Sequence, residues 1–134
     1  MFGFNFCFIA ILVFILLLAV LIIFLSKKNE PTWKSKVKSK LTLINSRSSD
    51  NKLKLLELDK LLEFTLQNKF SSDSSLGSIL KQKAKQIPKQ ELDQIWLAHK
   101  MRNKISHDID YNPNSSQLLI NQKNLTKFII KHSQ

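Results

Sequence analysis

Residues 6–25 read FCFIAILVFILLLAVLIIFL, twenty consecutive residues without a polar side chain. A helix of that length rises about 30 Å, the thickness of a bilayer's hydrocarbon core. Inside that core each backbone amide must be paired within its own segment, so helix is the expected state. A helix packed on a soluble core keeps a polar face, and this run has none. A cleaved signal peptide would want a basic start, a shorter apolar stretch and a small-x-small cleavage site. Here MFGFN precedes the run and Ser26-Lys27-Lys28 follows it. The expectation is a retained transmembrane helix over residues 4–26.

Outward from the run, the flanks set its orientation. Lys27, Lys28, Lys34, Lys36, Lys38 and Lys40 follow it with only Glu30 against them, and no charged residue precedes it. Basic flanks stay on the cytoplasmic side, which predicts a single-pass protein of the cytoplasmic membrane with its N-terminus outside. Trp33 suits the headgroup level. The lysines either mark topology alone or also touch anionic lipid.

The chain has 134 residues, room for one membrane element and one small domain. Its 21 basic and 10 acidic residues give a net charge of +11, all of it carried from Lys27 onward. A simple soluble enzyme is excluded. The single cysteine, Cys7, lies in the apolar run and excludes a disulfide scaffold. Two Gly and three Pro exclude collagen-like and Gly/Pro-rich disordered classes.

Residues 27–49 read as a basic juxtamembrane linker with a helical turn around residues 37–44, closing in a loop at 46–49. Asp50 then caps a helix to about Lys69, with Leu55, Leu58, Leu62 and Leu66 at helical spacing and Leu53, Leu56, Leu61 and Phe64 widening the stripe. The cluster Ser71-Ser72-Asp73-Ser74-Ser75 is a loop with a built-in cap. A short helix follows from about Leu76 to Gln86, burying Leu76, Ile79 or Leu80, and Ala84, and Pro88 enforces its end. Another helix runs from about Lys89 to Ser106. After the turn residues 110–114, Asn114 or Ser115 caps a last helix carrying Leu118, Leu119, Leu125, Phe128 and Ile129. No segment alternates as a strand would. The fold class is all-α: one N-terminal transmembrane helix followed by a small antiparallel four-helix bundle over residues 50–132.

Phosphate loops, CxxC, HExxH and GxSxG are all missing, so no cofactor or metal is expected. His132 stands two residues from the end and reads as a solvated tail residue. The informative stretch is 95–107, IWLAHKMRNKISH. Leu92, Ile95 and Trp96 start a helical stripe that continues as His99, Arg102, Asn103 and Ser106. A face that begins apolar thus ends in a line of polar groups, which are costly to bury unpaired. Ala98, Met101 and Ile105 form a second apolar strip, one strip facing the bundle and the other a second chain. The chain has 19 Lys but only two Arg, so Arg102 beside Asn103 suggests a need for a planar, always-charged donor facing a phosphate or a buried carboxylate. Arg102 and His107 are five apart, about 140° around a continuous helix. They converge only if the helix ends or kinks near Ser106, or if two chains bring their copies together.

The hexapeptide Arg102-Asn103-Lys104-Ile105-Ser106-His107 resembles the Arg-x4-6-His motif of the HEPN superfamily, with the Asn after Arg that many members carry. Its flanks, together with Leu58-Asp59-Lys60-Leu61-Leu62 and Ser75-Leu76-Gly77, resemble small bacterial membrane-anchored HEPN-like proteins. The resemblance covers roughly residues 50–132. It implies metal-independent RNA cleavage by a homodimer whose Arg/His pairs meet at the interface. His107 would then be the acid/base for attack of a 2′-hydroxyl on the adjacent phosphate. Arg102 would stabilise charge on the phosphoryl oxygens, and Asn103 would orient His107 or touch the phosphate. Asp59 would pair with Arg102, with His99 and Ser106 in support. The family also contains non-catalytic binders.

The residues equally allow a structural network. Arg102 then pairs with Asp59 or Glu63, His107 favours the helix C-terminus through the dipole, and His99 serves Asn103 or a backbone carbonyl. In that case the domain is a membrane-anchored interaction module with an unidentified protein partner. RNA, a second copy of the chain and the bilayer complete the expected partners.

Overall fold

The computed structural model describes residues 3–27, 32–47 and 50–134, and every regular element among them is helical. The chain divides into two compact units, Met1–Pro31 and Thr32–Gln134. The first unit contains one helix, α1 (Gly3–Lys27). Each side chain of α1 described, at positions 8–23, is exposed, Phe14 and Leu16 among the most. Among the described residues no helix is long and apolar enough to cross a membrane. The apolar run of the sequence, 6–25, extends beyond the described side chains at both ends. Lys28 and Glu30 of its basic flank lie outside the described residues, as do Ser48 and Ser49 of the expected loop.

In the second unit the structure corrects the linker. Residues 32–47 form a 16-residue helix, α2 (Thr32–Arg47), which runs through the positions expected to begin a loop. Val37 is fully buried and Ile44 nearly so, with Trp33 and Leu41 partly buried against the same core. Positions 33, 37, 41 and 44 follow one another at helical spacing, a stripe a single residue wide. Lysines and hydroxyl residues fill the gaps between them, which made the segment read as a polar linker. The hydroxyls of Ser39, Thr42 and Ser46 donate to the carbonyls of Lys36, Lys38 and Leu43, so they are satisfied within the helix.

Helix α3 (Asn51–Phe70) begins where expected. Asp50 Oδ1 accepts the amides of Lys52 at 2.8 Å and Leu53 at 3.4 Å. At its other end Ser71 takes a left-handed conformation, φ 49°, and the Ser72 amide returns to the Gln67 carbonyl. Leu55, Leu58, Leu61, Leu62 and Leu66 are buried, whereas Leu53 is exposed. Helix α4 (Leu76–Gln82) is shorter than its sequence suggested. It passes into a 3₁₀ turn, Ala84–Gln86, and leaves Ala84 half-buried. Ile87 is extended, as a residue before proline prefers. Helix α5 (Lys89–His107) follows Pro88, and Asn114 caps α6 (Ser115–Ser133) through the Ser116 amide.

The four long helices of the bundle are therefore α2, α3, α5 and α6, with α4 an added short one, in place of the four expected within residues 50–132. Helices α3 and α6 form the central pair, each packing on both α2 and α5, and α4 lies on α3. Only residues 48–50 separate α2 from α3 in the sequence, and Lys36 and Lys40 lie over Phe64, so α2 and α3 pack as an antiparallel hairpin. Glu91 meets Lys131 and Met101 meets Asn121, so α5 and α6 also run antiparallel. Leu119, expected in the core, is 53% exposed.

The fold makes α2 part of the core. Val37→Ala should cost about 2 kcal/mol of stability by loss of buried methyl surface and a residual void. Leu43→Ala, on the exposed side of the same helix, should change stability by less than about 0.5 kcal/mol. Urea denaturation of both variants checks this, with the midpoint falling at unchanged slope only for Val37→Ala.

Candidate functional site

Helices α3 and α5 are neighbours, and each contributes polar residues where they meet. Asp59 follows Leu58 on the core side of α3 and is 1% exposed. His99 and Arg102 stand three apart on α5, one turn along the same face, so both reach one carboxylate. His99 Nδ1 lies 3.0 Å from Asp59 Oδ1 and 3.2 Å from Oδ2. Arg102 Nε lies 3.3 Å from Oδ2 as an ion pair. Since a carboxylate only accepts, the His99 hydrogen bond requires the proton on Nδ1.

Asn103 joins from the outer side, its Oδ1 accepting from an Arg102 Nη at 2.8 Å. Trp96 sets its ring edge-on to His99, with centroids 5.9 Å apart at 69°. Gly77 of α4 lies beside both rings. A Cβ there would meet Trp96 at 3.6 Å and His99 Nε2 at 3.8 Å, ordinary contacts that alanine could make. The site is thus a buried carboxylate held by a guanidinium and an imidazole, under a lid of Trp96 and the first turn of α4. Glu63, the other candidate partner for Arg102, instead accepts the Leu76 amide at the start of α4 at 3.2 Å.

Asp59, His99, Arg102 and Asn103 come together. Ser106 and His107 do not join them, both being exposed at the end of α5. The helix runs unbroken to His107, so no kink turns that ring toward Arg102. The expected dimer strip is also corrected. Ala98 is fully buried and Met101 is 8% exposed, its Sδ receiving a hydrogen bond from Asn121, because this strip packs on α6. Ile105 is half-buried beside the same core. The exposed face of α5 carries Leu97, Lys100, Lys104 and His107 instead. The sequence assigns His99 to Asn103 or a carbonyl, whereas the structure links it to Asp59. The signal for that link was the i, i+3 spacing with Arg102. Among the described residues no group of three His, Cys, Asp or Glu gathers as metal ligands would.

His132 is half-buried rather than a solvated tail residue. Its ring tilts onto Phe128 at 4.2 Å between centroids, and its Nδ1 is buried without a hydrogen-bond partner. Burial first, then the charges of Lys69 and Lys131, lower its pKa from 6.5 to about 4, with Glu91 opposing. The folded chain therefore keeps this ring neutral where the unfolded chain would protonate it. The neutral ring's contribution is fully present above pH 6.5 and is lost as pH falls toward 4. Thermal scans across that window should show the melting temperature falling with pH, and His132→Phe should flatten the fall. Equal slopes in both proteins would refute the assignment.

Compared with known proteins, the chain matches no family model, no curated protein and no solved structure.

Proposed function

We propose that the protein is a single-pass membrane protein whose cytoplasmic domain is a HEPN-like helical interaction module, with Asp59, His99 and Arg102 acting as an internal clamp rather than as catalytic machinery. One observation carries this reading. Arg102 and His99 are both engaged with the same buried carboxylate, while His107 sits exposed and apart. Breaking a buried ion pair leaves an uncompensated charge, so such a clamp is a stability element. The membrane part of the reading is supported by α1, whose described side chains are apolar and exposed on every side, a surface that calls for a lipid surround. The basic residues after it favour a cytoplasmic C-terminus.

A second reading keeps RNA binding or metal-independent cleavage. It is favoured by the 23% of the Arg102 side chain that remains exposed and by His107 at the open end of the same helix. Thr32–Gln134 carries 19 basic against nine acidic residues, an excess that attracts a polyanion. Cleavage would require His107 from a second chain, since about 140° of continuous helix separates it from its own Arg102. The homodimer would then form on the face of Leu97, Lys100, Lys104 and His107.

The two readings respond oppositely to one variant. Under the clamp reading, Arg102→Ala should cost about 2–3 kcal/mol, or on the order of 10 °C in melting temperature, with no change in any nucleic-acid property. Under the nuclease reading, cleavage of single-stranded RNA in EDTA should vanish in Arg102→Ala and His107→Ala while the folds stay near normal. Cleavage by the native chain that persists in His107→Ala would belong to neither. Topology is tested separately: a reporter fused after Gln134 should resist protease added outside intact cells. A digested reporter would place the domain outside and remove RNA from its reach.

A further inference from the structure

The charge of the folded unit is concentrated on α2. Lys34, Lys36, Lys38, Lys40 and Arg47 give this helix five of the unit's 19 basic residues, and it has no acidic residue. Half of the unit's net charge of +10 thus rides on sixteen residues. The ion pairs among the described residues, Asp59 with Arg102 and Glu91 with Lys131, do not involve α2.

The helix also has a defined outer side. With Val37 and Ile44 turned to the core, Ser35, Ser39, Thr42 and Ser46 project from the opposite ridge at about 100° per residue. Three of these hydroxyls are already bonded to carbonyls of the helix. Two rows of lysines stand beside the ridge, Lys38 and then Lys34 on one side and Lys36 and then Lys40 on the other, the second of each row lying about 110–130° from the ridge centre, toward the core-facing side. The Phe64 ring holds Lys36 and Lys40, at 5.1 and 5.8 Å from its centroid. A ridge of small, self-satisfied groups between two rows of lysines suits a flat polyanionic surface. The backbone can approach closely, Lys38 can reach forward along its aliphatic stem, and Lys36 and Lys40 can do so by leaving the Phe64 ring of α3. In the sequence only residues 28–31 separate α2 from α1.

We infer that the outer side of α2 is a docking surface for anionic lipid headgroups, holding the folded domain down on the membrane in which α1 is anchored. The inference rests on the membrane reading above. It assigns α2 two faces with two tasks: the stripe of Val37 and Ile44 completes the core, and the lysine rows set how the domain meets the bilayer. Screening limits such contacts to about 8–10 Å at ordinary salt, so they matter only for a helix kept near the surface.

The test uses the full chain with Cys7→Ser and Ser39→Cys, carrying an environment-sensitive fluorophore at position 39 and reconstituted in vesicles. With phosphatidylserine present, the emission should shift to the blue relative to pure phosphatidylcholine. The shift should disappear in molar salt, and also when Lys34, Lys36, Lys38 and Lys40 are all changed to Gln. Salt reads the same contact without any substitution, so a misfolded variant cannot mimic the result. Carbonate extraction of the phosphatidylcholine vesicles separates the two levels of the argument. A chain that washes off sinks the membrane reading and this inference with it. A chain that stays, with a probe indifferent to phosphatidylserine, overturns the inference alone. A probe that responds to added single-stranded RNA and not to anionic lipid makes the rows a nucleic-acid surface and overturns it as well.

Discussion

The carboxylate of Asp59 is almost wholly withdrawn from water, and much of the domain's order follows from the need to answer it. A buried charge without partners costs several kcal/mol, which a domain of this size cannot absorb. Two partners on one face of α5 meet it, at 3.0 and 3.3 Å, and this sets both the rotation and the height of α5 against α3. A slide of one turn, about 5.4 Å, would part Asp59 from both partners. The ion pair forbids it. The same geometry brings Trp96 and His99 under the first turn of α4, so the short helix inherits its seat from the clamp.

Around that point the core is built mostly from leucine and isoleucine on α3, α4, α5 and α6, with α2 supplying the missing side. Helix α3 is the hub, packing on α2, α4, α5 and α6, and it buries five leucines over a broad arc. An arc that wide cannot be covered by two or three neighbours. Val37 and Ile44 of α2 close part of it, which is why residues that look like a linker are a structural requirement.

The two functional readings share Arg102 and otherwise draw on different parts of the molecule. The clamp lies between α3 and α5, whereas half of the net charge lies on α2, and His107 stands alone at the open end of α5. An Arg/His pair that meets a phosphate must present both groups to one point. Here one of them is turned inward to a carboxylate. Only a second chain could supply the other, on a face that also carries Leu97, Lys100 and Lys104.

From sequence alone, helical class followed from periodicity, and helix ends followed from local chemistry. Asp50, Asn114 and Pro88 act within a few residues of themselves, so their effects could be read without knowing the fold. The scarcity of arginine likewise pointed to Arg102, and a buried carboxylate was among its expected partners. What remained undecided depended on neighbours distant in the chain. Whether Ala98 and Met101 face a second copy or α6, and whether Lys-rich residues 32–47 form a linker or a wall of the core, turns on which helices are adjacent. Periodicity gives each helix a face but not the element that covers it. His99 shows the same limit: its spacing from Arg102 was visible, but the carboxylate they share lies forty residues away, and only tertiary packing brings Asp59 within 3.0 Å.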